Sequence, residues 1–235
     1  MTDFFHFPHT PHLAWIGQGE PRDDKVLSPV EVDALLQSEV IVEEKLDGAN
    51  LGFSVDSDGR IRAQNRGQYL LPPFSGQFAR LNTWLAAHED ALFDTLDTHL
   101  IAFGEWCAAK HSLDYSALPD WWLAFDVYDR KERRFWSTKR RDAWADALEI
   151  SRISEIARGH FTLADLQDLL QNQRSNYRDG PLEGLVIRAQ DDRWLHQRAK
   201  LIHPDFTQQI QHHWRRQGLV WNRLAMPALV RRRGE

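Results

Sequence analysis

The sequence predicts a mixed α+β domain built on antiparallel sheet, and three observations carry that reading. Asp58-Gly59 lies between two short alternating runs and reads as a hairpin turn. Phe78, Leu81, Leu85, Leu92 and Leu96 recur at helical spacing. Beyond them, apolar or alternating runs are interleaved with two segments that open on helix N-cap residues.

Taken in order, residues 40–44, 50–55 and 60–64 form three short strands, the last two joined at the hairpin, and a helix over 74–98 packs on the sheet. Strands follow at 100–106 and 121–128. Helices begin at Ser137 and Thr162 and run to 148 and 173, and a loop-like stretch at 174–181 precedes strands at 185–189 and 194–201. No internal repeat or low-complexity linker interrupts this series. A boundary is expected near His203-Pro204, dividing a domain at 1–203 from a short, basic, helical tail at 204–235, with a helix from 206 to 216.

A chain of 235 residues with 42% hydrophobic side chains can fill one sizeable core. No run approaches the ~20 apolar residues of a membrane span, and Asp3, His6, Pro8 and His9 break up the N-terminus, so no membrane association and a cytoplasmic location are expected. Cys107 is the single cysteine; it excludes a disulfide framework or a cysteine-rich zinc site and reads as a small buried hydrophobe. His6, His9 and His12, and the pair His212-His213, lack the further ligands a zinc site needs. The formal charge is -5, yet Arg130, Lys131, Arg133, Arg134, Lys139, Arg140 and Arg141 face only Glu132 in one short stretch, and the last thirty residues are also basic. Such islands are solvated faces or polyanion sites, since phosphate binding depends on the local patch and not on net charge.

The segment Glu43-Glu44-Lys45-Leu46-Asp47-Gly48-Ala49-Asn50 places a lysine at the end of an apolar strand, just before a glycine that permits a tight turn. An ammonium with a pKa near ~10.4 becomes a nucleophile only when burial or neighbouring cations discharge it. Further short motifs follow: Gln64-Asn65-Arg66-Gly67, Phe103-Gly104-Glu105-Trp106, Ala124-Phe125-Asp126-Val127-Tyr128, Glu183-Gly184-Leu185-Val186-Ile187-Arg188 and Arg198-Ala199-Lys200. No P-loop or complete dinucleotide fingerprint is present, so phosphate must be bound otherwise.

This ordered series resembles the covalent nucleotidyltransferase superfamily of ATP-dependent ligases and capping enzymes, and within it the phage RNA ligase 2-like group. The resemblance spans roughly residues 8–200 and implies an adenylyltransferase, ATP-grasp-like ligase catalytic domain of antiparallel sheets flanked by helices, with ATP in a cleft between sheets. It implies that Lys45 forms lysyl-AMP, that Glu105 holds the ribose, that Phe125 stacks on adenine, and that Arg66, Arg188, Arg198 and Lys200 surround the phosphates, with Glu44 also at the nucleotide. Glu183, with Glu105, would hold Mg2+ or Mn2+. Asp47 is grouped with the catalytic residues Lys45, Glu183 and Lys200, although orienting the turn suits it better than acting as a base. Asn50 would meet the metal's waters or the acceptor 5′-phosphate, and Lys139, Arg140 and Arg141 would contact RNA. Arg198 departs from the pattern, because that motif commonly carries two lysines; arginine keeps the charge but cannot shuttle a proton.

Only 35 residues follow Lys200, too few for the OB-fold that DNA ligases and capping enzymes of this superfamily usually append. The expected activity is therefore ATP-dependent RNA ligation, with ATP and nicked or single-stranded RNA ends as partners and room for an unidentified repair protein. Two alternatives stand beside it: a minimal DNA ligase catalytic domain, and a nucleotide- or RNA-end-binding module without turnover.

Overall fold

The computed structural model describes residues 4–17, 21, 25–209 and 218–226. Its strands form two sheets, and every pairing between them is antiparallel. Chain order is α1 (Pro29–Leu36), β1 (Val40–Lys45), β2 (Ala49–Val55), β3 (Ile61–Gln64), β4 (Tyr69–Leu70), α2 (Leu81–Thr95), β5 (Leu100–Trp106) and β6 (Trp122–Asp129). It continues with β7 (Arg134–Phe135), α3 (Thr138–Ala147), β8 (Glu155–Gly159), α4 (Leu163–Asn172), β9 (Gly184–Gln190), β10 (Leu195–Ile202) and α5 (Pro204–Gln209). One sheet has the order β10-β9-β1-β8 and the other β4-β3-β2-β5-β6-β7.

Each sheet buries one face under helices. Leu51, Phe53 and Val55 of β2 alternate inward against Leu81, Trp84 and Leu92 of α2, with Ala145 of α3 closing the same core. On the other sheet Val40 and Val42 of β1, Leu185 and Ile187 of β9, and Ala199 and Leu201 of β10 pack on Val32 and Leu35 of α1 and Leu166 and Leu170 of α4. The period of two leaves the intervening residues of β1, β9 and β10 on the opposite face of their sheet, which borders a cleft between the two sheets, while Phe5 and Phe7 cover Ile101 and Phe103 on the other sheet.

Local signals explain the boundaries. The Asp58-Gly59 turn forms as expected, with Gly59 at φ +73°. Ser137 and Thr162 cap α3 and α4 by accepting from the N–H groups of Arg140 and Asp165. The helix expected over 74–98 divides into a 3-10 turn at Gly76–Phe78 and α2. Helix α1 and strand β8 were not foreseen, although Ser28-Pro29-Val30-Glu31 is a capping box with proline at the first helical position.

The helical tail expected over 204–235 falls only partly on described residues. Helix α5 covers Pro204–Gln209, residues 210–217 and 227–235 lie outside the described residues, and 218–226 contain no helix. This last stretch packs into the domain. Asn222, 2% exposed, donates from Nδ2 to the carbonyls of Cys107 (2.7 Å) and Ala109 (3.2 Å) and accepts from the N–H of Tyr115 at 2.9 Å. Arg80 stacks on both Trp121 and Trp221. Cys107 is buried as expected. No helix among the described residues is long and apolar enough to cross a membrane. Because Asn222→Ala would leave three buried backbone groups unpaired, it is expected to lower stability by about 2–4 kcal/mol, read as a fall in the denaturant midpoint.

Candidate functional site

Strand alternation aims the site. On β1, Glu43 and Lys45 fall on the cleft face opposite to Val40 and Val42; Val186 and Arg188 of β9, and Arg198 and Lys200 of β10, do the same in register beside them. The chain then passes from Lys45 through a tight turn into β2 of the other sheet. Gly48 is required there, because a Cβ at that position would lie 2.6 Å from the carbonyl oxygen of Trp106. Asp47 fixes the turn: its Oδ2 accepts from the N–H groups of Ser112 (2.6 Å) and Leu113 (3.2 Å), and its own N–H donates to the Tyr115 hydroxyl at 2.8 Å.

The resulting cleft, of about 480 Å³, is bordered by both sheets and by Phe7 and Thr10 of the N-terminal segment. Lys45 Nζ donates to Glu183 Oε1 at 2.7 Å and to the Leu46 carbonyl at 3.2 Å. Glu105 enters from β5, opposite Asn50 in register, and accepts from the Gly48 N–H at 2.9 Å. Arg66 sits at the tip of a turn in which Asn65 Oδ1 accepts from the N–H groups of Gly67 and Gln68.

A β-bulge explains how Phe125 and Asp126 both reach this face. Ala102 pairs with Val127 and Phe103 with Asp126, but Gly104 pairs with Ala124, leaving Phe125 as the extra residue. Phe125 borders the cleft with its ring 5.4 Å from that of Phe7. Asp126, 1% exposed, pairs with both Arg188 and Arg198. Arg188 also meets Glu43 at 3.3 Å, and Arg198 lies over the rings of Phe7 and Phe135.

The electrostatics around Lys45 are dominated by carboxylates. Burial pulls the ammonium's pKa down, but the charges of Glu183, Glu105 and Asp47 outweigh it and leave the pKa above the ordinary lysine value. Burial pushes Glu105 up to about 7, opposed by Lys45 and reinforced by Glu183. Glu183 likewise rises to about 7 through burial, against the attraction of Lys45. Two oxygens bordering this group, Glu183 Oε2 and Asn50 Oδ1, are buried without a hydrogen-bond partner. An acidic cluster with orphaned oxygens suits a divalent cation that keeps several of its waters. Among the described residues no group of three or more His, Cys, Asp or Glu side chains forms a ready-made metal cage.

Residues 38–202 match the RNA ligase family, which is most of the chain. The chain belongs to the RNA ligase family. Its fold is that of solved RNA ligases. A Naegleria gruberi RNA ligase with PPi aligns with a TM-score of 0.60 at 16% identity, over 86% of this chain and 62% of that one. An archaeal ATP-dependent RNA ligase aligns with a TM-score of 0.59 at 18% identity, over 88% and 49%. A mutant of the Naegleria gruberi enzyme with AMP and Mn aligns with a TM-score of 0.55 at 14% identity, over 76% and 54%. The chain thus spans between about half and three fifths of the length of these structures. No curated protein matches it significantly.

Within this ligase fold, Lys45, Asp47, Asn50, Arg66, Glu105, Phe125, Arg188, Arg198 and Lys200 all border one cleft, and Glu183 touches it through Lys45. Glu44 also borders the cleft; its carboxylate, on the same side of β1 as Val40 and Val42, accepts from the Ser175 hydroxyl and from the Asn176 N–H at 2.9 Å. One expectation needs correction. Arg141 is 1% exposed and cannot contact RNA: it pairs with Glu43 at 2.7 Å and donates to the Phe125 carbonyl at 2.8 Å. Helix α3 turns Arg141 inward while Lys139, two residues earlier, stays exposed beside Asp192.

Sequence reasoning missed Glu43 and Asp126 as the acids that hold these arginines. An Asp directly after Phe125, in a chain with Arg188 and Arg198 on later strands, was the available signal.

Two outcomes follow. Arg141→Ala leaves Glu43 in a buried site without this partner and is expected to cost about 3–5 kcal/mol, against less than ~0.5 kcal/mol for Lys139→Ala, both by denaturant unfolding. Glu105 has a folded pKa above its unfolded value, so its ionisation costs nothing below pH 4.5, and the full cost is present above about 7. Glu105→Gln is therefore expected to melt like wild type near pH 4, with an advantage that opens between 4.5 and 7 and reaches about 1–3 kcal/mol at pH 8.

Proposed function

We propose that this chain joins RNA ends with ATP as AMP donor, through a covalent intermediate on Lys45. The observation that carries the reading is the lysine ammonium held 2.7 Å from Glu183, at the floor of a cleft that also holds Glu105, Phe125, Arg66 and Lys200. Family membership supports it, as do the ATP-dependent archaeal relative and the Naegleria gruberi structures with ATP and Mn, AMP and Mn, or PPi.

In the first step the Lys45 nitrogen attacks the α-phosphorus of ATP, forming a nitrogen–phosphorus bond while the bond to the β-phosphate oxygen breaks and pyrophosphate leaves. Glu183 Oε1 is placed to take the ammonium proton, and its pKa near 7 makes it a better acceptor than an ordinary carboxylate. Phe125 offers a ring for the base and Glu105 a carboxylate for the ribose hydroxyls. Arg66 and Lys200 supply charge for the phosphates; Arg188 and Arg198, neutralised by Glu43 and Asp126, shape the wall. A divalent cation held by Glu183 and Glu105, with Asn50 Oδ1 nearby, would offset the carboxylate field and so lower the pKa of Lys45. AMP then passes to an RNA 5′-phosphate, and the neighbouring 3′-hydroxyl displaces it to close the phosphodiester.

The reading is tested with α-labelled ATP, Mn2+ and 5′-phosphorylated RNA. Wild type is expected to become covalently labelled and to seal RNA. Glu183→Gln should label at least ~10²-fold more slowly while keeping a normal melting curve. Sealing of DNA with no sealing of RNA would contradict the substrate assignment.

A further inference from the structure

Beyond the cleft, three arginines converge on a single indole. The guanidinium carbons of Arg140, Arg134 and Arg193 lie 4.6, 5.1 and 5.9 Å from the ring centre of Trp194. Arg140 also covers Trp136 at 4.3 Å, and the backbones of the two tryptophans are bridged. Trp194 is 9% exposed, whereas Arg134 and Arg193 are exposed, so the buried indole carries guanidinium groups that reach solvent.

The nearby acids are occupied elsewhere. Asp191 accepts from the N–H groups of Arg193 and Trp194 and lies 3.1 Å from His196, and Asp192 pairs with Lys139 at 3.3 Å. Among the described residues no carboxylate lies within ion-pair distance of the three guanidinium groups. Burial and then the charge of Arg193 lower the pKa of Arg140, with Asp129 and Glu132 opposing. Among the described residues these guanidinium groups make two hydrogen bonds: Arg140 to the Arg193 carbonyl at 3.4 Å, and Arg134 to His196 Nδ1 at 3.2 Å. A guanidinium fixed by stacking on a ring keeps its N–H edges for an anion, and a phosphate oxygen pair matches that fork.

The cluster is continuous with the cleft. Phe135, between Arg134 and Trp136, packs under Arg198 at 4.4 Å, and Arg134 reaches His196. His196 lies on β10, two and four residues before the cleft residues Arg198 and Lys200.

We propose that the Arg134–Arg140–Arg193 cluster on Trp194 and Trp136 is the docking site for the phosphodiester backbone of the RNA strand leading away from the reacting end. The inference rests on the RNA-joining reading and adds the strand's path, from Lys200 along β10 onto the face formed by β7, the start of α3 and the β9–β10 turn. It excludes Arg141 from that path.

The test measures binding of the whole chain to 5′-phosphorylated single-stranded RNA by fluorescence anisotropy over a range of KCl concentrations. The triple variant Arg134→Ala, Arg140→Ala, Arg193→Ala is expected to bind about tenfold or more weakly near ~0.1 M salt, with a log–log salt slope shallower by about 2. The single variants Arg134→Ala and Arg193→Ala alter exposed side chains, and each should remove about 0.7 from the slope, so the result stands if the triple variant folds poorly. Wild-type affinity and slope in variants with wild-type melting would overturn the proposal, as would equally tight binding of polyglutamate, which would mark a site for acidic protein. Absence of covalent labelling in wild type would instead strike the RNA-joining reading, so the two failures are distinguishable.

Discussion

The contact between Lys45 and Glu183 is the constraint around which the rest of the molecule is arranged. It joins the last residue of β1 to the residue just before β9, two strands paired side by side, at the place where the chain leaves one sheet for the other. An ammonium cannot be buried alone, and a carboxylate in the same place would rather be protonated. Their pairing lets both be buried; the carboxylates hold the Lys45 ammonium above the ordinary lysine value, while burial, opposed by Lys45, brings Glu183 to about 7. Asp47 and Tyr115 then hold the turn after Lys45, and Asn222 anchors the segment that carries Tyr115. Residues 218–226 therefore support the turn after Lys45 through two successive sets of hydrogen bonds.

Behind this contact lies a buried network of opposite charges, Arg141–Glu43–Arg188–Asp126–Arg198, that ties α3 and β6 to β1, β9 and β10. Such a network gains little net stability over apolar packing, because desolvation offsets most of the attraction. It does fix directions. Asp126 can reach its two arginines only because the bulge at Phe125 re-aims the strand, and the same bulge presents the Phe125 ring to the cleft. The wall of the cleft and its aromatic platform are thus consequences of one irregularity in β6.

Much of the fold was legible because period-two alternation survives in strands with one covered face. Strand β5 matches its expected span, β1, β2, β6, β9 and β10 do so to within a residue or so, and the cleft between sheets follows from those faces. Helix α1 escaped notice because it is short and weakly patterned, and β8 because its residues are half exposed. The site was legible as a set of motifs, and the structure brings their residues to one cleft. What the sequence could not convey was side-chain direction. Glu43 and Glu44 are neighbours of the same type, yet one pairs with cleft arginines and the other faces the 174–181 loop; Arg140 and Arg141 diverge in the same way on α3. A charge run in the sequence does not distinguish a solvated arginine from a buried one.

The measurement that bears most directly on the central claim is mapping of the AMP-bearing residue. The whole chain would be incubated with ATP and Mn2+, digested under conditions that preserve phosphoramidates, and sequenced by mass spectrometry. The account predicts a single adduct, on Lys45. An adduct on Lys200, which also borders the cleft, or no adduct on a chain that is folded and binds ATP, would contradict it.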